Sequence, residues 1–240
     1  MQSALRLQLL EAACEPYRTV GSFHYRWARG KLGGDPVFAS LLEQGTFAQR
    51  KRVLDLGCGR GLLAAWFLTA EHLTASGQWT ANFEVPTNMT FQGVDLDASG
   101  CAAGNQALKP RFGERLFLAS GDMCRADLRG YDAITILDVL HYIPFAEQDV
   151  LLDQIRSALG PGGLLVTRIG NAQGGWRFRV SQWVDLVMAN AQGHRIRRMY
   201  CRPLNDWIHA LQARGFSVTA QPMSEGTPFA NVLLVARVPC

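Results

Sequence analysis

The segment Val53-Leu54-Asp55-Leu56-Gly57-Cys58-Gly59-Arg60-Gly61-Leu62-Leu63-Ala64 constrains the fold of this chain more than any other. An apolar run ends in an acid, three glycines follow within five positions, and a second apolar run begins. Glycine has no Cβ and tolerates positive φ, so such a turn can be tight and its main chain open to close approach. Between the end of a strand and the start of a helix, it presents backbone N–H groups to a ligand. In an open parallel sheet the turn falls at the carboxyl ends of the strands, where nucleotide-like ligands bind near the switch point of strand order.

The rest of the chain alternates in the way such a sheet requires. Helical pattern to about residue 46 is followed by strand pattern over 52–56, helix over 62–73, strand over 90–95, helix over 99–108 and strand over 115–120. Strand over 133–138, helix over 145–159, strand over 164–169 and helix over 204–213 continue the series. Two strands, 216–221 and 231–238, close it across the turn-rich SEGTPF, a connection short enough to require antiparallel pairing. Strands separated by helices predict an α/β fold, a Rossmann-like doubly wound seven-stranded sheet, mostly parallel with an antiparallel last strand. With 240 residues and 48% hydrophobic positions, the chain is expected to form one domain. Residues 1–46 would form a helical N-terminal cap and 171–202 a substrate-side lid insert after the fifth strand.

No apolar run approaches the roughly 20 residues needed to span a bilayer, and the N-terminus carries charges, so a cytoplasmic protein is expected. The six cysteines show neither a CxxC pair nor zinc-site spacing, and no metal is expected. The glycines at 57, 59 and 61 do not fit G-x-G-x-x-G, which weakens a nicotinamide-dependent oxidoreductase reading.

At this point the sequence resembles the class I S-adenosylmethionine-dependent methyltransferases, of the bacterial small-molecule type. Their first motif is an acid, one residue, then G-x-G-x-G, matched by Asp55, Gly57, Gly59 and Gly61 with Cys58 between. Later motifs follow in order: Gly93-Val94-Asp95-Leu96-Asp97, Ser120-Gly121-Asp122-Met123, the run 131–144 and Leu159-Gly160-Pro161-Gly162-Gly163. The resemblance implies S-adenosyl-L-methionine as cofactor. It places Asp95 at the ribose hydroxyls with Leu96 beside it, Asp122 at the exocyclic amine and Met123 over the adenine ring. Asp138 would line the cofactor pocket, and Arg29 would reach the cofactor carboxylate. Because the sulfonium supplies its own leaving group, the protein need chiefly hold a nucleophile in line with the methyl carbon, and positioning can supply most of the rate.

Each assignment has a plainer alternative. An Asp before a helix is often only its cap, and Asp97 is read that way. His141, past the fourth strand, is a candidate general base, with Tyr142 beside it and His24 as a second candidate. A simple exit from the strand explains H-x-x-P equally well. Arg168 could bind an anionic group of the substrate or form a salt bridge. Tyr25 is a candidate acceptor contact in a stretch whose aromatics could equally be core. Trp176 and Trp183 would line an apolar acceptor site under the lid.

The family's Asn/Asp-Pro-Pro-aromatic signature of amide-type N-methylation is absent, so oxygen or carbon of a small metabolite, aromatic or acyl/polyketide-like, is the expected acceptor. Four arginines within residues 194–202 could dock an acidic carrier protein, or be a solvated face, and nucleic acid ranks below both. The rival from another class is a non-catalytic methyltransferase-fold protein that uses this basic lid to bind a partner.

Overall fold

The computed structural model describes residue 1 and residues 3–170, 199–223 and 231–240. Its strands are β1 (Arg52–Leu56), β2 (Thr90–Asp95), β3 (Leu116–Ser120), β4 (Ala133–Leu137), β5 (Leu164–Gly170), β6 (Ser217–Pro222) and β7 (Asn231–Arg237). They form a seven-stranded sheet in the order β3-β2-β1-β4-β5-β7-β6. β7 is antiparallel to both β5 and β6, as the short final connection predicts. No helix among the described residues is long and apolar enough to cross a membrane. By its contacts the chain divides into two compact units, Met1–Asp127 with Tyr131–Ala133, and Leu128–Gly130 with Ile134–Cys240.

The first unit begins with three helices, α1 (Ser3–Cys14), α2 (Ser22–Gly34) and α3 (Pro36–Glu43). The last of these starts sharply because the Asp35 carboxylate accepts from the Val37 N–H and Pro36 needs no donor partner. α4 (Leu62–Ala75) follows β1 and is buried on every side from Leu62 to Glu71, so its apolar run has no polar face. α5 (Ala98–Phe112) lies between β2 and β3 in sequence and buries Gly100, Cys101, Ala103 and Gly104, a narrow face that permits close packing. It runs four residues past the expected end at 108 and carries Pro110. Gln106, whose carbonyl loses a partner to that proline, is exposed to water, as is Pro110 itself.

β1, β2 and β3 are parallel, with Asp55 opposite Gly93, and Val94 opposite Ala119. The polar excursion before β2 is fixed at its end by a buried acid. Glu71 of α4 accepts from the Asn88 N–H at 2.6 Å and pairs with Arg115, which also donates to the Met89 carbonyl at 2.9 Å. These bonds set where β2 starts, and therefore which residue ends it.

The second unit holds β4, α6 (Phe145–Ala158), β5, α7 (Leu204–Ala213), β6 and β7. β5 is buried along six of its seven residues, as a central strand should be. β6 lies at the edge, largely exposed, and ends in Pro222, which offers no donor for further pairing. The lid expected over 171–202, with Trp176 and Trp183, lies outside the described residues up to position 198.

Candidate active site

In the first unit, the loop after β1 turns through three glycines, all with positive φ: 81° at Gly57, 52° at Gly59 and 74° at Gly61. Such backbone is available to glycine at little cost, which accounts for their spacing. Gly57 and Cys58 donate their N–H groups to the Val94 carbonyl at 2.8 and 3.3 Å, so the loop closes over the end of β2. Asp55 sits below it, buried at the end of β1.

Asp95 then joins the loop to the next strand. Its Oδ2 accepts from the Gly59 N–H at 2.8 Å and its Oδ1 from the Asp97 N–H at 2.8 Å. A carboxylate has about four lone-pair sites, so two accepted bonds leave capacity for further donors. The next residue, Leu96, is 67% exposed, an apolar side chain held in the open beside a carboxylate.

Asp97 caps α5, accepting from the Gly100 N–H at 2.9 Å and the Ser99 hydroxyl at 2.6 Å. Burial pushes its carboxyl up, but these bonds and the charge of Arg60 hold it below the usual carboxylate range. Register sets Asp95 opposite Ser120, and the Gly121 N–H donates to the Asp95 carbonyl at 2.9 Å. Asp122 and Met123 are therefore brought beside Asp95. The exposed Asp122 accepts from the Cys124 N–H at 2.9 Å and caps a single 3₁₀ turn.

The N-terminal segment reaches the same loop through a bond that the sequence pattern left unassigned, from Tyr17 to Arg60. Tyr17, fully buried, donates its hydroxyl to the Arg60 carbonyl at 2.8 Å. Arg60 lies 5.6 Å from the Phe23 ring and 5.3 Å from that of Trp27, and its Nε donates to His24 Nδ1 at 3.1 Å. Burial and the Arg60 charge both hold His24 below the usual histidine range, and its basic lone pair faces the guanidinium. Tyr25 lies under the Arg18 guanidinium at 3.8 Å, and Arg29 is 3.9 Å from Glu11 of α1.

In the second unit, Asp138 follows β4 with φ at 61°, a left-handed conformation that Asp tolerates better than most residues. Its carboxylate pairs with Arg168 in a two-point fork, with Nε to Oδ1 at 2.8 Å and Nη2 to Oδ2. Arg168 is 3% exposed, so the arginine side of this salt bridge is buried, while the Asp138 side chain is 30% exposed. His141 is buried too, with the Tyr142 ring edge-on at 4.2 Å. Burial lowers its pKa to about 4, against an opposing pull from Asp138.

The Gln148 side chain, buried in α6, fastens this loop. It donates to the carbonyls of Leu140 and Tyr200 at 2.9 Å and of Ile143 at 3.1 Å, and accepts from Arg202 Nε at 2.9 Å. A visible signal existed: Gln148 lies on the helical stripe of Leu151, Leu152 and Ile155, where a polar residue needs buried partners.

The family model described as a methyltransferase domain matches residues 30–221. The chain belongs to that family. Its members of this class I type use S-adenosylmethionine. No curated protein matches the chain at significance. An O-methyltransferase family protein from Burkholderia thailandensis superposes with a TM-score of 0.63 at 16% identity, over 92% of this chain and 62% of that one. Magnesium protoporphyrin IX methyltransferase from Synechocystis PCC 6803, solved with bound SAH, gives 0.60 at 18% identity over 93% of both chains. The 1,6-didemethyltoxoflavin-N1-methyltransferase of Burkholderia thailandensis gives 0.59 at 19%, over 85% of this chain and 77% of that one. At these identities the likeness is one of fold, and the chain spans less than two thirds of the first of them.

The loop fits the family's cofactor on its own geometry. A Cβ placed at Gly59 would meet nothing within 4 Å, so there is open space over the loop at a point where its main chain is bare. The Asp95 carboxylate and the exposed Leu96 follow at the end of the adjacent strand. Among the described residues, no group of three or more His, Cys, Asp or Glu could hold a metal ion.

Proposed function

We propose that this protein transfers the methyl group of S-adenosylmethionine to an oxygen or carbon of a small metabolite of aromatic or acyl type. The observation that carries the reading is the bond from the Gly59 N–H to Asp95, which joins the bare loop to a carboxylate with lone pairs to spare. In this reading Asp95 accepts from the two ribose hydroxyls, Leu96 and Met123 cover the adenine, and Asp122 accepts from its amine. Asp55 holds its place beneath the loop and supports the methionine end. Residues 1–46 form a cap, with Tyr17 and Arg60 as its attachment to the loop.

The bound cofactor supplies a sulfonium-activated methyl group and a neutral leaving group. The chain's residues have to orient the acceptor and keep water out. His141, with its pKa held at about 4, is neutral at physiological pH and a weak base. This favours acceptors acidic in their own right, such as phenols or carbons flanked by carbonyls, over alcohols that need strong deprotonation. Asp138 and Arg168 hold one another in a two-point fork, so we assign them to holding the β4 loop rather than to binding an anionic substrate group.

A panel of phenols, acyl thioesters and primary amines, each incubated with S-adenosylmethionine and followed by release of S-adenosylhomocysteine, tests the reading. Turnover with phenols or acyl thioesters is expected. Turnover confined to amines would replace it with N-methylation.

A further inference from the structure

Two thiols at the glycine loop have no part in the chemistry above. Cys58 stands between the first two glycines, and its side chain fills the space that Gly93 leaves open; a Cβ at position 93 would come within 2.6 Å of the Cys58 Sγ. Cys101 lies in the first turn of α5 and donates its S–H to the Ala119 carbonyl at 3.4 Å. The Cys58 N–H donates to the Val94 carbonyl, and Val94 is the register partner of Ala119. Both cysteines are thus tied to facing positions on adjacent strands. Neighbouring strands run about 4.8 Å apart, so the two anchoring residues, Val94 and Ala119, are side by side in the sheet. The Cys58 S–H donates to the Gly59 carbonyl at 3.8 Å, and neither cysteine is in a disulfide.

We propose that Cys58 and Cys101 form a redox site, which a hydroperoxide oxidises to a disulfide that shuts the loop against the cofactor. The consequence for the cofactor rests on the function proposed above; the disulfide itself does not. In the first step the Cys101 sulfur attacks a peroxide oxygen, an S–O bond forms, the O–O bond breaks, and the departing oxygen leaves as water after taking the thiol proton. In the second step the Cys58 sulfur attacks the sulfenic sulfur, the S–S bond forms, and the hydroxyl leaves as water with the Cys58 proton. Two thiols are oxidised and one hydrogen peroxide is reduced to two waters.

The order of attack follows from the surroundings. The neighbouring Cys58 thiol holds Cys101 below the usual cysteine range, against its burial and the nearby carboxylates of Asp95 and Asp97. A place in the first turn of a helix favours the thiolate as well. Cys58, beside Cys101 and buried near Asp55, is pushed up and suits the resolving role.

Closing the S–S bond fixes the two sulfurs about 2.05 Å apart. Cys101 is held by a helix whose cap is fully bonded, whereas Cys58 is flanked by two glycines at positive φ. The loop is the part that moves. Its movement draws the Gly59 N–H off Asp95 and alters the bare surface over the loop.

The test treats the full chain with hydrogen peroxide, then reads tryptic peptides without reduction and titrates S-adenosylhomocysteine by calorimetry. Peptide 53–60 contains Cys58 alone, and peptide 61–111, uncut at Lys109-Pro110, contains Cys101 alone. The expected result is a linked pair two hydrogens lighter than its parts, an affinity at least tenfold weaker, and recovery of both with dithiothreitol. Before and after peroxide alike, Cys101→Ser and Cys101→Ala should bind the ligand as reduced wild type does. Unlinked Cys58 and Cys101 under conditions that oxidise the other thiols would overturn the proposal, as would a linked pair with affinity unchanged within twofold. Reduced protein that binds no S-adenosylhomocysteine would refute the proposed function instead, and the peptide masses would still decide the disulfide.

Discussion

A methyl group added at position 104 sets two effects of opposite sign against each other. Gly104 is inside α5, where alanine is intrinsically better than glycine by roughly 0.8–1 kcal/mol. Against that gain, its Cβ would stand 2.5 Å from the Arg60 carbonyl oxygen, 2.9 Å from the carbonyl carbon and 2.5 Å from Leu118 Cδ1. Leu118 can change rotamer, but the carbonyl is fixed. It accepts from the Tyr17 hydroxyl, and the next N–H, that of Gly61, donates to the Cys58 carbonyl. Close C···O contacts lie at about 3.3 Å, so helix and loop must part by roughly 0.8 Å. Overpacking of this kind costs about 1–3 kcal/mol and should outweigh the propensity gain, for a net loss of about 1 kcal/mol. Gly30, in α2, is the internal control, because a Cβ there meets nothing within 4 Å. Gly30→Ala should stabilise by about 0.5–1 kcal/mol. Urea denaturation at constant m reads both, and calorimetry with S-adenosylhomocysteine should show weaker binding only for Gly104→Ala. A Gly104→Ala protein as stable as Gly30→Ala, with binding intact, would refute the tight packing of helix on loop.

Three further outcomes follow from the same geometry. His141 has a folded pKa of about 4 against an ordinary 6.5, so the folded state binds fewer protons; its contribution is complete above pH 6.5 and is lost as pH falls towards 4, by about 3 kcal/mol at most. His141→Gln should flatten that part of the stability profile, and urea midpoints between pH 7 and 4 that fall in parallel would contradict the burial argument. Asp138→Asn leaves a buried guanidinium without its counter-charge and should cost about 3 kcal/mol, while Arg168→Met added to it should recover part of the loss; a single-variant loss under about 1 kcal/mol would contradict it. Tyr17→Phe removes a buried donor from the Arg60 carbonyl and should cost about 1–2 kcal/mol and weaken S-adenosylhomocysteine binding, with unchanged affinity arguing against attachment of the cap through this bond.

The parts of this fold that read directly from sequence are those with a local cause. β1 and β2 end close to where an apolar run meets an acid, and the loop glycines sit where φ must be positive. Asp97 was legible as a cap because S/T/N/D before a helix has a local partner to bond. The parts that did not read are held by partners far along the chain. Glu71, Asn88 and Arg115 fix the start of β2 across a long excursion, and no periodicity marks them. Arg168 and Asp138 each stand out alone, but their pairing depends on tertiary register and only then changes what either can bind. By sequence alone Tyr17 is one more aromatic in a mixed stretch. Its role appears only once its hydroxyl has a carbonyl 43 positions away to reach. Gly104 gives no signal in one dimension, because its function is to leave room for another segment's backbone.

The central claim is that the loop from Asp55 to Gly61, together with Asp95, is a binding site for S-adenosylmethionine. Calorimetric titration of S-adenosylhomocysteine into wild type and Asp95→Ala, with circular dichroism to verify folding, tests it most directly. Hydrogen bonds to a charged group contribute about 1.5–3 kcal/mol, so loss of the acceptor for two hydroxyls should weaken binding about a hundredfold. A folded wild type that binds nothing, or a variant that binds within twofold of it, would contradict the account.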